Sequence, residues 1–522
     1  MQPPITDLLQ GVPMDSVFGW VKALLPWGSH PHKYQPLPHE EGNFLQSRLR
    51  SCKHIVRSRR FVFAAAMFGT LLLITALLGL GTAQNTSKSC DTIDGYVCQP
   101  NISQLWGQYS PYFSVPSEIS AETPDQCTIT FAQILSRHGA RDPTEKKTAA
   151  YNATILKIHA SVTEYSPEYA FIKDYEYTLG ADQLSLFGQQ ELINSGTKFF
   201  TRYQALAKDV DPFVRSSGQD RVVESAQNWT LGFHNARVAA GAIDSEYPYS
   251  ITLISEEAGF NNSLSHSLCT SFEDGPVSSI SDDAQATFAS TFTPPITVRL
   301  NENLPGANLS MIETIYMMDM CPFNTVASDT GSISPFCALF TEAEWNDYGY
   351  YQTLSKYYGY DWGNPLGATQ GVGFTNELIA RLTNASVIDH TSTNSTLDAS
   401  DATFPLGAQL YADFSHDSDM IAIYAAMGLY NSTAMLSNTT AQGVNETNGY
   451  STSYVVPFAA RAYFEKMSCG EEAEEMVRVI VNDRVLPLES CGGDALGRCT
   501  LSAFVDSLTF AKSGGDWDQC FV

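Results

Sequence analysis

The 522-residue chain reads as an α/β protein, and three segments of one local design predict it. Cys127 to Ser136 alternates apolar Ile129, Phe131 and Leu135 with polar Thr128, Thr130 and Gln133, as a half-buried strand does, and ends at Arg137-His138-Gly139. Phe213-Val214 leads into Arg215-Ser216-Ser217-Gly218, after which Asp220 to Val238 has helical periodicity (Val222, Val223, Ala226, Trp229, Phe233). Leu410 to Phe414 leads into Ser415-His416-Asp417-Ser418, and Ser418 or Asp419 is expected to cap a helix over Met420 to Leu429. Strand, polar turn and helix, repeated, imply a sheet with ligands bound beyond its strand ends.

The remaining elements follow in order. Residues 1–60 hold Gly28, Pro31, Pro36, Pro38 and Gly42, and end in Arg48, Arg50, Lys53, Arg57, Arg59 and Arg60, so they are expected to form a flexible basic tail. Residues 61–83 follow without a charge. Twenty apolar-biased residues at helical rise reach ~30 Å, the thickness of a hydrocarbon core. Basic residues on the N-terminal side place the tail in the cytosol and the rest in the lumen or outside, as a type II signal-anchor. A signal peptide cut after Gly81-Thr82-Ala83 is the other reading, with a longer leader and core than such peptides usually have. Residues 84–522 then form the catalytic region. Ser225 to about Thr383 mixes helix-like stretches with loops, and near the C-terminus Val477, Val479 and Val481 alternate up to Asn482-Asp483 and Val485-Leu486, a β-hairpin.

Composition narrows the function. Charged residues are 16% and hydrophobic residues 43%, which excludes disorder and a multi-span membrane protein. The net charge of −26, with no basic run beyond the tail, argues against nucleic acid as a partner. Sequons at Asn85, Asn101, Asn152, Asn228, Asn261, Asn308, Asn384, Asn394, Asn431, Asn438 and Asn445 all follow the apolar run, as a lumenal or secreted region requires. Ten cysteines follow it too, none spaced C-x-x-C, so disulfides are expected rather than a zinc or redox site.

The polar turns define a reaction. A neutral His138 imidazole is a candidate nucleophile toward phosphorus. Arg137, Arg141 and Arg215 would clamp the non-bridging oxygens, with His416 as a further donor, and stabilise the transferring phosphoryl group. Asp417 would give its proton to the leaving alkoxide and then activate water. An aspartate near its reference pKa of ~3.9 implies an acidic working pH unless burial raises it. The arginines supply the positive charge, so no metal or cofactor is expected.

At these residues the chain resembles the histidine acid phosphatases, and within them the fungal phytases over nearly all of Ser89 to Val522. The resemblance rests on Arg137-His138-Gly139-Ala140-Arg141-x-Pro143 and the distant His416-Asp417. It extends to Leu105-Trp106-Gly107-Gln108-Tyr109, Asn364-Pro365-Leu366-Gly367, Thr369-Gln370-Gly371-Val372-Gly373 and Tyr411-Ala412-Asp413-Phe414-Ser415. It implies the phosphoglycerate-mutase-like architecture: a large α/β domain, with a mixed sheet flanked by helices, and a smaller α-helical domain inserted mid-chain, the site lying between them. It assigns the roles given above, and pairs Cys90 with Cys98, Cys127 with Cys469, Cys269 with Cys520, Cys321 with Cys337 and Cys491 with Cys499.

The departures concern the substrate. Of the lysines that fungal phytases place around the site, Lys147 and Lys356 match, whereas Ala150 and Ser355 stand where lysines are expected. Asp142 replaces a tyrosine, Gln285 sits where an acidic residue is common, and Asp319 is retained. Fewer cations should weaken steering of a highly charged ester. The expectation is therefore a monomeric acid phosphomonoesterase acting on phytate and related monoesters, with a broad acid phosphatase as the alternative. A non-catalytic phospho-ligand-binding glycoprotein is disfavoured by the intact nucleophile and proton donor, and a mutase-like transferase by the sequons and cysteines.

Overall fold

The computed structural model describes residues 89–470 and 472–522. The tail expected over 1–60, the anchor expected over 61–83 and the sequon at Asn85 lie outside the described residues. Among those described, no helix is long and apolar enough to cross a membrane.

In chain order the sheet strands are β1 (Cys127–Arg137), β2 (Phe213–Ser217), β3 (Ile251–Ile254), β4 (Leu410–Ser415), β5 (Arg461–Cys469), β6 (Met476–Val481), β7 (Arg484–Val485) and β8 (Arg498–Thr500). The main helices are α1 (Glu145–Ser161), α2 (Leu186–Arg202), α3 (Asp220–Ala239), α4 (Ile280–Asn303), α5 (Met311–Val326), α6 (Glu342–Tyr360), α7 (Val372–Thr383) and α8 (Asp417–Ala426). The strand order is β8-β6-β5-β1-β4-β2-β3, with β7 hairpinned onto β6. β1, β4, β2 and β3 run parallel, while β5 and β6 continue the sheet antiparallel from β1. This is the expected mixed sheet flanked by helices. The expected hairpin forms, with Asn482 and Asp483 both at positive φ (48° and 70°), the backbone a two-residue turn between twisted strands requires.

The parallel half sets the site. Central parallel strands are buried on both faces, and β4 is buried at every residue. Ser136 pairs with Phe414 and Arg137 with Ser415, so β1 and β4 end level and deliver His138 and His416 to one edge. Arg215 of β2 is in register with Asp413 of β4.

The middle of the chain is more helical than its sequence pattern suggests. Pro294 and Pro295 lie within α4 and Pro322 within α5, where proline usually ends a helix. α5 and α6 each begin with a complete capping box, Ser310/Glu313 and Thr341/Glu344, which satisfies orphan amides at both starts. The helix expected over Met420 to Leu429 begins instead at Asp417, with His416 as N-cap. The helical insertion and the sheet belong to one compact unit, Asn85–Val522.

All five disulfides pair as the resemblance implies: Cys90–Cys98, Cys127–Cys469, Cys269–Cys520, Cys321–Cys337 and Cys491–Cys499. Cys127–Cys469 joins the adjacent strands β1 and β5 across 342 residues of chain. Among the described sequons, Asn101, Asn152, Asn308, Asn384, Asn431, Asn438 and Asn445 are exposed. Asn228, Asn261 and Asn394 are half-buried; the Nδ2 of Asn228 donates to the Glu224 carbonyl and that of Asn261 to the Thr393 carbonyl, while Asn394 Oδ1 accepts from the Thr396 N–H.

Candidate active site

The turn after β1 is held by backbone bonds to three elements. The His138 N–H donates to Ser415 O of β4, the Gly139 N–H to Ser225 Oγ of α3, and the Ala140 N–H to Glu191 Oε2 of α2. Gly139 is required by contact, because a Cβ there would lie 2.3 Å from the Gly188 carbonyl oxygen. The sequence therefore spends a glycine to bring α2 against the turn.

His138 is fully buried. Its Nδ1 lies 2.8 Å from the Gly139 carbonyl, which can only accept, so Nδ1 carries the proton and Nε2 the lone pair. Nε2 has no hydrogen-bond partner among the described residues. Burial, together with the charges of Arg137, Arg221 and Arg141, holds the imidazole pKa well below its usual value. His138 is thus neutral where an ordinary histidine would be charged, and its free nitrogen can act as a nucleophile.

Cations surround it. Arg137 is anchored through Nη1 to the Gln108 and Val456 carbonyls, and its Nη2 lies 3.3 Å from Asp417 Oδ2. Lys356 Nζ sits 2.9 Å from the same oxygen and 2.9 Å from Ser418 Oγ. Arg141 Nη1 donates to the Asp142 carbonyl at 2.7 Å. Buried guanidinium nitrogens of Arg137, Arg141 and Arg221 have no hydrogen-bond partner among the described residues. Unpaired buried donors on cations are costly, and an entering anion would satisfy them. Asp417 and Arg221 both lie in the first turn of a helix, α8 and α3, whose free amides favour an anion further.

His416 completes the group. Its ring stands 5.7 Å from that of His138, and its Nε2 is 2.9 Å from Glu256 Oε1. Burial tends to raise the Glu256 pKa, but the hydrogen bond and charge of His416, with hydrogen bonds from Ser217 and the Gln219 backbone, together keep the carboxylate below its usual range. Burial likewise opposes ionisation of Asp417, yet Arg137 and Lys356 hold it well below the ordinary carboxylate range. The cavity over these groups has a volume of about 320 Å³, and its walls include Arg141, Arg221, Lys356, His416 and Asp417. A larger cavity of about 710 Å³ is lined by Tyr430, Asn431, Asn445 and Arg484 among others. It lacks an imidazole or a cluster of cations, so the chemistry favours the smaller one.

Comparison with known proteins decides the family. Residues 128–482 match the model of the histidine phosphatase superfamily, branch 2. The chain belongs to that family. It is 52% identical to Phytase A of Aspergillus oryzae over 468 residues (88% of this chain, all of the relative). It is 51% identical to Phytase A of Aspergillus fumigatus over 455 residues (86% and 97%). The crystal structure of the phytase from D. castellii superposes with a TM-score of 0.66 at 24% identity, covering 85% of this chain and 92% of that one, and so shares its fold. This histidine phosphatase is a phosphoric monoester hydrolase.

Not every residue expected at the phosphatase site reaches it. Arg215, expected as a phosphate ligand, is turned into the sheet, where its Nε meets Asp413 Oδ1 at 2.7 Å and its Nη2 meets Glu377 Oε2 at 2.6 Å. Its donors are engaged by buried carboxylates, and it does not line the cavity. Arg221, six residues on, lines it instead. Asp142 also departs from expectation. Its carboxylate packs against Gly180, where a Cβ would fall 2.4 Å from Oδ2, and it is not on the cavity wall. Burial raises its pKa, with the Gly180 backbone opposing.

The outer residues form a separate group. Lys147 Nζ lies 3.7 Å from Asp319 Oδ2, which also accepts from Tyr151 Oη at 2.6 Å, while Tyr348 Oη bonds Oδ1. Burial works against the Lys147 charge, but Asp319 together with Tyr109, Tyr351 and Tyr316 outweighs it and raises its pKa. Gln285 of α4 donates to the Tyr351 carbonyl. Lys356 alone of the expected outer residues lines the cavity, where burial lowers its pKa although Asp417 opposes this. Two further groups, Arg221 and the Glu256 partner of His416, escaped the sequence reading. A signal for Arg221 was present, because it occupies the same first helical turn after a strand end as Asp417.

Proposed function

We propose that the phosphatase hydrolyses phytate and related phosphate monoesters through a phosphohistidine at His138. The observation that carries this reading is the unpartnered Nε2 of a neutral His138 beneath buried cations, with an ionisable Asp417 beside it. The close relatives named Phytase A supply the substrate class. Arg137, Arg141, Arg221 and His416 would hold the phosphoryl oxygens. Nε2 attacks phosphorus, the ester P–O bond breaks, and the leaving alkoxide takes a proton from Asp417. Water then attacks the phosphohistidine, gives its proton to Asp417, and the P–N bond breaks.

Arg137 and Lys356 keep Asp417 ionised, so it must take up a proton before it can donate one. An entering phosphate supplies the means. By drawing Arg137 and Lys356 toward its own oxygens, it removes the fields that depress the Asp417 pKa. An acidic medium then completes protonation, which makes the working pH acidic.

A broad acid phosphatase is the second reading, favoured by Ala150 and Ser355 where lysines would steer a polyanion. Kinetics on phytate and p-nitrophenyl phosphate, measured side by side between pH 3 and pH 7, separate the two. A kcat/KM clearly higher for phytate supports the first reading, and equal values would leave only the second.

We further propose that the catalytic region, residues 84–522, lies in an oxidising compartment, as its five disulfides and exposed sequons favour. The uncharged run at 61–83 would tether it to the membrane, or release it if cleaved. Carbonate extraction of membranes tests this, since a tethered enzyme stays in the pellet and a cleaved one leaves it.

A further inference from the structure

The mechanism leaves one cavity-wall imidazole unused. His266 lies in the loop between β3 and α4, on the wall formed with Ser265, Lys356 and Asp419. Three residues further on, Cys269–Cys520 fixes the loop to the C-terminus. The loop is fastened to α8 as well, because the His266 N–H donates to Asp419 Oδ1 at 2.6 Å.

The ring is oriented as deliberately as a ligand would be. Nδ1 is 2.7 Å from Glu273 Oε1, and the ring packs on Phe272 and Tyr360 with centroids 5.5 and 5.2 Å away. The Nε2 edge has no partner among the described residues. Lys356 Nζ stands 5.1 Å from the centroid of the same Tyr360 ring. Tyr360 is therefore flanked by two cationic groups, Lys356 toward the reaction centre and His266 beyond it.

We propose that His266 is a specificity-determining residue whose Nε2–H donates to a second phosphate of a polyphosphorylated substrate while the first is held at His138. This deepens the proposed function and rests on it. A simple monoester has no second phosphate to offer and gains nothing from His266. The charged groups that face the imidazole are Glu273, Asp419 and Lys356, and the Tyr360 ring packs against it. Burial and Lys356 act against its charge, but Asp419 and Glu273 prevail and raise its pKa above the ordinary value of 6.5. His266 is accordingly a cation well below pH 6.5 and becomes neutral only as pH rises through that raised value.

The test uses the full chain with phytate and p-nitrophenyl phosphate as probes. His266→Gln is expected to lower the ratio of kcat/KM for phytate to that for the aryl ester about tenfold or more at pH 5, the scale of a lost charge-assisted hydrogen bond. Wild-type KM for phytate should also rise as pH climbs above 6.5 and the imidazole loses its proton, and Glu273→Gln should move that rise to lower pH. The inference fails if His266→Gln changes both substrates equally, or if Glu273→Gln folds and leaves the pH dependence where it was. A wild type with no preference for phytate would sink the proposed function itself. A wild type that prefers phytate, with an unchanged ratio in His266→Gln, sinks only this inference.

Discussion

Asp417→Asn tests the proton donor because the structure gives the residue two opposed duties. It is the proposed acid, and it is also the counter-ion of Arg137 at 3.3 Å and Lys356 at 2.9 Å. Loss of a positioned general acid slows a reaction about 10²–10⁴-fold, or about 3–5 kcal/mol of barrier. That loss should fall on phytate, whose alkoxide needs a proton to leave, and much less on p-nitrophenyl phosphate, whose phenolate leaves without one. Binding should move the other way. Inorganic phosphate must compete with Asp417 for both cations in the native protein, each charge-assisted bond being worth about 1.5–3 kcal/mol. With a neutral asparagine in place, phosphate should inhibit at about tenfold lower concentration or less. Steady-state kinetics on both esters, with phosphate as inhibitor, reads both effects. An equal fall on the two substrates, or weaker phosphate inhibition, would refute the reasoning.

Further outcomes follow from the same geometry. Arg221→Ala should reduce kcat/KM about 10²-fold or more with little change in Tm, as expected for a lost oxyanion donor. Arg215→Met should instead strand Glu377 and weaken the hold on Asp413, costing about 3–5 kcal/mol of stability. Thermal melts and kinetics on the two variants distinguish the roles, and the reverse pattern would reinstate Arg215 as the ligand. Asp361 is buried, and burial pushes its carboxyl up to about 6 from 3.8. A raised carboxyl contributes stability that is complete below pH 3.8 and lost as pH rises through about 6, roughly 3 kcal/mol at pH 7. Asp361→Asn, which retains an oxygen for the Trp362 N–H, should therefore melt higher than wild type at pH 7 and no higher at pH 4. A constant Tm difference across that range would count against the assignment.

Much of the site was legible because its chemistry sits at strand ends, where pattern and motif coincide. The alternation of β1 runs into Arg137-His138, and the apolar run of β4 into His416-Asp417, so the two turns could be matched before they met in space. Arg215 misled because it too precedes a polar turn. The clue lay in another strand: Asp413, inside the wholly buried strand β4, needs a buried cation, and register delivers Arg215 to it. Sequence periodicity carries no register between strands 198 residues apart. Asp142 failed for a similar reason, since its direction is set by Gly180 across a loop. The helical region was obscured by Pro294, Pro295 and Pro322, which local rules read as breaks and tertiary packing accommodates within α4 and α5. His266 is a lone histidine in sequence and gains meaning only when Glu273 and the cavity are placed beside it.

The central claim is that the bare Nε2 of His138 takes the phosphoryl group. Rapid acid-free quenching of the enzyme during turnover of ³²P-labelled substrate, followed by alkaline digestion and peptide mapping, tests it directly. The account predicts an acid-labile, base-stable label on the peptide containing His138, and no label in His138→Ala. Label on another residue, or full phosphate release by His138→Ala, would contradict it.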